Sequence, residues 1–98
     1  MRLYKALTTE KEYVLSKQLL RSGTSIGTNV QEALAAQSRK DFLHKMAMAS
    51  KEARETVYWL ELLQASGWLR TNLEESLKLA HELVKLLTAI VKTTSHSR

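Results

Sequence analysis

The sequence contains no cysteine and no proline, and only three of its 98 residues are glycine. Without cysteine, disulfide frameworks and thiolate metal sites are excluded, and a cytoplasmic location fits. Because proline is the strongest helix breaker, its absence favours long uninterrupted helices. No apolar stretch reaches the roughly 20 residues that a bilayer span requires, and segment 1–5 lacks the apolar core of a signal peptide. We therefore expect one cytoplasmic domain, 1–98, with no membrane role.

The charge balance is basic. Fifteen lysines and arginines against ten acidic residues give a formal net charge of +5. Such an excess suggests an anionic partner, with nucleic acid first and acidic protein or lipid after it. Surfaces with no such partner also carry an excess of this size, so the charge alone leaves both interpretations open.

Three long helices are predicted from the apolar periodicity. The first is expected to begin at Thr9, where Thr9-x-x-Glu12 matches a capping box, and residues 1–8 resemble the end of a further helix. The predicted helix carries two adjacent stripes with steps of three and four residues. They are Leu15, Leu19, Ser22, Ile26, Asn29 and Ala33, and Leu20, Gly23, Gly27, Val30 and Leu34. Glycine costs about 1 kcal/mol in a helix interior, so we expect Gly27 to lie at a close crossing with Ala49 or Ala53 of the second helix.

Start and stop signals bound the other two helices. Ser38 is the predicted N-cap of the second helix and Gly67 its left-handed C-cap, followed by Trp68. Its predicted core stripe consists of Phe42, Met46, Ala49, Ala53, Thr56, Leu60 and Leu63. The third helix is expected to open with a capping box, Thr71-x-x-Glu74.

The third helix carries more apolar surface than one chain requires. Four of its seven heptad rows are apolar. Leu79 and Leu86 form the third of these rows, and Leu83 and Ile90 form the fourth. A helix on the outside of a monomeric bundle needs about three such rows. The extra row predicts an obligate oligomer, in which another copy of the chain covers it.

A polar strip crosses the first helix. It consists of Arg21, Ser25, Asn29 and Glu32, spaced four, four and three residues apart. One interpretation is a ligand site within the bundle. The other, which we favour, is a structural network, with Arg21 or Arg54 neutralising Glu32 or Glu55 on the next helix, because buried charges must be paired.

A basic surface is predicted at the start of the second helix. Its members are Arg39, Lys40, His44, Lys45 and Lys51. Cation clusters of this kind bind nucleic-acid phosphates, although a solvated helix face gives the same pattern. Aromatic residues near the end of that helix, Tyr58, Trp59 and Trp68, could stack on bases, but core or interface packing is the favoured interpretation.

No catalytic, cofactor or metal site is predicted. The histidines His44, His81 and His96 lack a ligand partner at the usual spacing and are expected on the surface. Gly23-x-x-x-Gly27 is not followed by the Lys-Ser pair of a phosphate loop. No nucleophile–base pair is visible, so an enzyme has little support.

The polar residues within the apolar pattern resemble a known family signature. Leu20-Arg21-Ser22, Ser25-Ile26, Asn29-Val30 and Glu32-Ala33, followed by Ser38-x-x-Asp41-Phe42, are similar to the 23S rRNA intervening-sequence proteins, which are bacterial four-helix bundles. The accessory variability protein of diversity-generating retroelements is similar too. The resemblance implies an all-α, up-down-up-down antiparallel bundle assembled as a homopentamer, with no established enzymatic activity. The retroelement relative is implicated in binding a reverse transcriptase and nucleic acid.

The start of the chain departs from this family, whose members usually begin with a full helix before the Thr9 region. We therefore expect a truncated first helix. Two functions remain open: a non-enzymatic oligomeric scaffold that binds RNA or a protein–RNA complex through basic patches, and a protein-binding adaptor with no nucleic-acid role.

Overall fold

The computed structural model describes residues 2–67 and 72–96, with side chains from residue 12 onward. It is all-α in these residues, with three helices: α1 (Arg2–Leu34), α2 (Arg39–Ser66) and α3 (Glu74–His96). The helices form an elongated body of 61 × 21 × 14 Å. The expected four-helix bundle is therefore not matched, because the described residues form three helices.

The start of the first helix was predicted wrongly. α1 runs without interruption from Arg2 through the Thr9 region to Leu34. A Thr-x-x-Glu pattern marks the start of a helix only where the backbone before it is not helical. No proline or glycine precedes Thr9 to interrupt the helix there. Residues 2–8 thus belong to α1 and are not the end of a separate helix.

The boundaries of α2 confirm the sequence prediction. The Ser38 side chain accepts a hydrogen bond from the backbone N–H of Asp41 at 3.0 Å. Gly67 adopts a left-handed conformation with φ 70°, and its N–H donates to the carbonyl of Gln64. These caps satisfy backbone groups that the helix itself leaves without partners.

α3 begins at Glu74, whose backbone N–H is capped by the Asn72 side chain at 2.8 Å. The Thr71 cap and the Trp68 contact predicted from the sequence lie outside the described residues.

The core lies where α2 meets the other two helices. α1 and α3 both pack along α2, and within the described residues no Cα of α1 lies within 8 Å of a Cα of α3. One cluster joins Ile26 and Ala33 of α1 to the middle of α2 and to Leu87 of α3. The second lies towards the end of α2 and contains Val57, Leu60 and Ala80. The predicted α2 stripe is confirmed for its buried members, which are Met46, Ala49, Ala53, Leu60 and Leu63.

The glycine row of α1 does not form the predicted close crossing. The first stripe of α1 faces α2, with Ser22, Ile26, Asn29 and Ala33 all buried. Gly23 and Gly27 lie on the neighbouring stripe, and a Cβ added at either position would meet no atom within 4 Å. Leu20 and Leu34 of the same stripe are 71% and 73% exposed. The expectation that Gly27 packs on Ala49 or Ala53 is therefore wrong for the single chain.

Candidate functional site

The predicted basic surface lies at the start of α2 and divides into two kinds of cation. Arg39 donates from Nε and Nη2 to the carbonyl of Thr94 on α3, at 3.2 and 2.5 Å. Lys45 Nζ forms an ion pair with Glu32 Oε2 on α1 at 2.8 Å. Lys40, His44 and Lys51 are exposed and have no side-chain partner in the part of the chain that the structure describes. Two of the five predicted residues therefore stabilise helix contacts, while the other three remain available to a ligand.

The ion pair with Glu32 changes the proton affinity of Lys45. The hydrogen bond from Lys45 to the Glu32 carboxylate raises the pKa of Lys45 above its ordinary value of 10.5, and the negative charge of Glu32 acts in the same direction. Lys45 is consequently fully charged at neutral pH and is held against α1 by its partner.

The polar strip of α1 separates into two groups instead of one network. Arg21 contacts both Glu55 and Glu52 of α2, the latter at 3.5 Å, and its Nε donates to Gln18 at 3.0 Å. Glu55 Oε1 also accepts from the indole N–H of Trp59 at 3.1 Å. Two carboxylates of α2 are thus directed towards α1.

The other members of the strip lie apart from Arg21. The buried Asn29 side chain donates to the backbone carbonyl of Ser25 at 3.0 Å, within α1. Glu32 reaches α2 through Lys45. Arg54, the other arginine that the sequence offers as a partner, donates to Thr88 of α3 and forms no ion pair with Glu32 or Glu55 in the described residues. The four residues therefore do not converge on a common centre.

A groove between α2 and α3, with a largely apolar lining, holds cations that the sequence did not single out as a group. We call it the α2–α3 groove; it has a volume of about 310 Å³ and is lined by Ala47, Ser50, Lys51, Arg54, Thr88 and Val91. The hydroxyls of Ser50 and Thr88 lie 3.3 Å apart, and Arg54 Nη2 donates to Thr88 Oγ1 at 3.5 Å. Lys51 and Arg54 were both visible in the sequence, but only the packing of α3 on α2 brings Thr88 beside them.

The described residues offer few groups that could bind a metal ion. No group of three or more histidine or acidic side chains is placed there to hold a metal ion. The three histidines are exposed and lie apart on α2 and α3. Among the same residues, no helix is long and apolar enough to cross a membrane.

The aromatic residues near the end of α2 have different surroundings. Tyr58 and Trp59 form an edge-on pair with ring centroids 5.0 Å apart. Trp59 is half-buried with its N–H bonded to Glu55, whereas Tyr58 is 56% exposed. Trp68 lies outside the described residues. Among the described residues of this cluster, Tyr58 is the ring whose face is most open to a ligand.

Comparisons with known proteins agree on one group. The family model described as 23S rRNA-intervening sequence protein matches residues 1–89. A crystal structure of a protein of unknown function, from the S23 ribosomal protein family of Bacteroides thetaiotaomicron, is 51% identical. Its match covers 94% of this chain and 84% of that chain, with a TM-score of 0.76. Among proteins with curated descriptions, none matches.

Proposed function

We propose that this chain, which belongs to the 23S rRNA-intervening sequence protein family, is a non-enzymatic, homo-oligomeric helical scaffold that binds RNA. It acts in the cytoplasm, needs no cofactor, and holds RNA, alone or together with a protein such as a reverse transcriptase, on its basic surface. The likeness to the accessory variability protein of diversity-generating retroelements is part of this proposal.

One observation supports the RNA-binding part of the proposal: some cations of α2 have no acidic partner in the described residues. The acidic side chains Glu52 and Glu55 are engaged by Arg21 on the α1 side. Lys40 and Lys51 have no such partner within the described residues and are exposed. The whole chain has a net charge of +5. These cations therefore attract the phosphates of a nucleic acid, whatever its sequence.

The oligomeric part rests on the outer face of α3. Leu79 and Leu86, two turns apart, are 59% and 57% exposed. A row of exposed aliphatic side chains favours an interface in which a second copy of the chain buries them. The pentamer follows from the family resemblance, and so does the four-helix arrangement. Within the described residues no Cα of α1 lies within 8 Å of a Cα of α3, and a fourth helix beside these two is part of this proposal.

The second candidate function is a protein-binding adaptor. Exposed apolar residues such as Leu20 and Leu34 favour it, and in that case the basic charge is incidental. Fluorescence anisotropy of a labelled RNA hairpin at about 50 mM salt separates the two functions. The scaffold should bind saturably and with similar affinity to hairpins of unrelated sequence, because the chain has no base-reading module. Absence of binding at this low salt would leave the adaptor as the better account.

A further inference from the structure

The charged side chains in the middle of α2, residues 51–55, are divided between its two neighbours. Its carboxylates Glu52 and Glu55 contact Arg21 on α1. Its cations Lys51 and Arg54 line the α2–α3 groove on the side of α3. This division leaves Lys51 and Arg54 on the α3 side of α2, while the carboxylates that follow each of them in sequence pair with Arg21 on the α1 side.

α3 carries further cations on the face that contains Thr88. Thr88 faces α2, as its contacts with Ser50 and Arg54 show. Lys85 and Lys92 lie three residues before and four residues after Thr88, so they share its face of the helix. Both are exposed. At a rise of 1.5 Å per residue they are roughly 10 Å apart along the axis of α3. Lys51 and Arg54 line the groove itself, whereas Lys85 and Lys92 lie outside its lining, before and after Thr88 on α3.

The floor of the groove supplies hydrogen-bond donors. Ser50 is only 7% exposed, and its hydroxyl is shared with Thr88 at 3.3 Å. When Ser50 donates in this pair, the proton of Thr88 is free to be donated into the groove. Arg54 uses one N–H on Thr88 and retains the others of its guanidinium for an anion.

We propose that the α2–α3 groove is the site where the phosphodiester backbone of RNA binds, with Lys51 and Arg54 pairing with phosphate oxygens and the Thr88 hydroxyl donating to one of them. Lys85 and Lys92 contact phosphates further along the strand. This inference rests on the proposed RNA-binding function and moves its centre from the start of α2 to the middle of the groove.

The test compares two double variants with the same loss of charge. Lys51→Gln with Arg54→Gln removes two groove cations, and Lys17→Gln with Lys78→Gln removes two exposed cations outside the proposed binding surface. Each phosphate contact is worth a factor of about 5–8 at ~0.1 M salt, so the groove variant should bind a labelled RNA hairpin about 25- to 60-fold more weakly. Its log–log salt slope should flatten by about 1.4–1.8, whereas the control should change little.

Amide chemical shifts of the parent locate the site independently of any substitution. Titration with the same RNA should shift Ser50, Lys51 and Thr88 more than Lys40 and His44. If the largest shifts fall on Lys40 and His44, or the control variant loses more affinity than the groove variant, the groove is not the site and the proposed RNA binding still stands. If a polyglutamate peptide competes as well as RNA of equal charge, the groove is a general anion surface and this proposal is wrong. If the parent binds no RNA, both proposals fail.

Discussion

Replacing Gly27 by alanine should stabilise the protein, because its face of α1 is open. Alanine is favoured over glycine in a helix interior by about 0.8–1.0 kcal/mol. A Cβ at Gly27 would meet no atom within 4 Å, so no steric cost offsets this gain. For a chain of this size, 1 kcal/mol corresponds to a rise of roughly 4–8 °C in the melting temperature.

Gly67 provides a matched control of opposite sign. It has a φ of 70° at the C-cap of α2, a left-handed conformation that costs an L-residue about 1–2 kcal/mol. Gly67→Ala should therefore lower the melting temperature, although its Cβ would also meet no atom within 4 Å. The contrast separates backbone strain from packing, since both sites have room for a methyl group.

Thermal unfolding followed by circular dichroism at one protein concentration tests the pair, with Gly23→Ala as a second helical site. If Gly27→Ala melts below the parent, something must pack tightly against that face of α1. The open face that the single chain presents would then be refuted, and the close crossing expected from the sequence would have to be supplied by another chain.

Two further predictions concern the ion pair and the oligomer. Glu32→Gln should lower the pKa of Lys45 towards 10.5, measured by NMR titration of its ε-methylene, because a neutral amide replaces the carboxylate whose hydrogen bond and negative charge raise it; an unchanged pKa would show that the pair does not form. Since the folded-state pKa is the raised one, the contribution of this pair to stability is present below about pH 10 and is lost as the pH rises through the folded-state pKa. Leu79→Gln with Leu86→Gln should shift the light-scattering mass of the assembly towards the 11.2 kDa chain without loss of helicity. Leu20→Gln, at an even more exposed leucine of α1, is the control; a parent that is itself a stable monomer at micromolar concentration would contradict the oligomer.

The sequence predicted local features of the fold well. Ser38 and Gly67 were identified as the ends of α2 because capping depends on residues within a few positions of the helix end. The α2 stripe was found because its apolar residues follow a single helical period. On α1 two adjacent stripes had the same period, and periodicity does not say which of them faces the neighbouring helix. The sequence therefore predicts that the glycine row contacts α2, whereas in the structure Ser22 and Ile26 of the other stripe face α2.

The site was only partly accessible from the sequence for a similar reason. Clusters within one helix, such as Lys40 and His44, can be read from spacing. The partners that remove Arg39 and Lys45 from the basic surface are Thr94 and Glu32, on other helices. Arg54 and Thr88 are 34 positions apart, and their contact depends on the register of α3 against α2. Hydrogen bonds and ion pairs between helices therefore determine which cations remain free.

The salt dependence of RNA binding by the unmodified protein tests the central claim most directly. Contacts of Lys51, Arg54, Lys85 and Lys92 with about four phosphates predict that a plot of log association constant against log salt concentration is linear, with a slope of about −2.8 to −3.6. Anisotropy titrations between about 50 and 200 mM salt, with hairpins of two unrelated sequences, give this slope. The account predicts the same slope for both hairpins. A slope near zero, or no binding at the lowest salt, would contradict it.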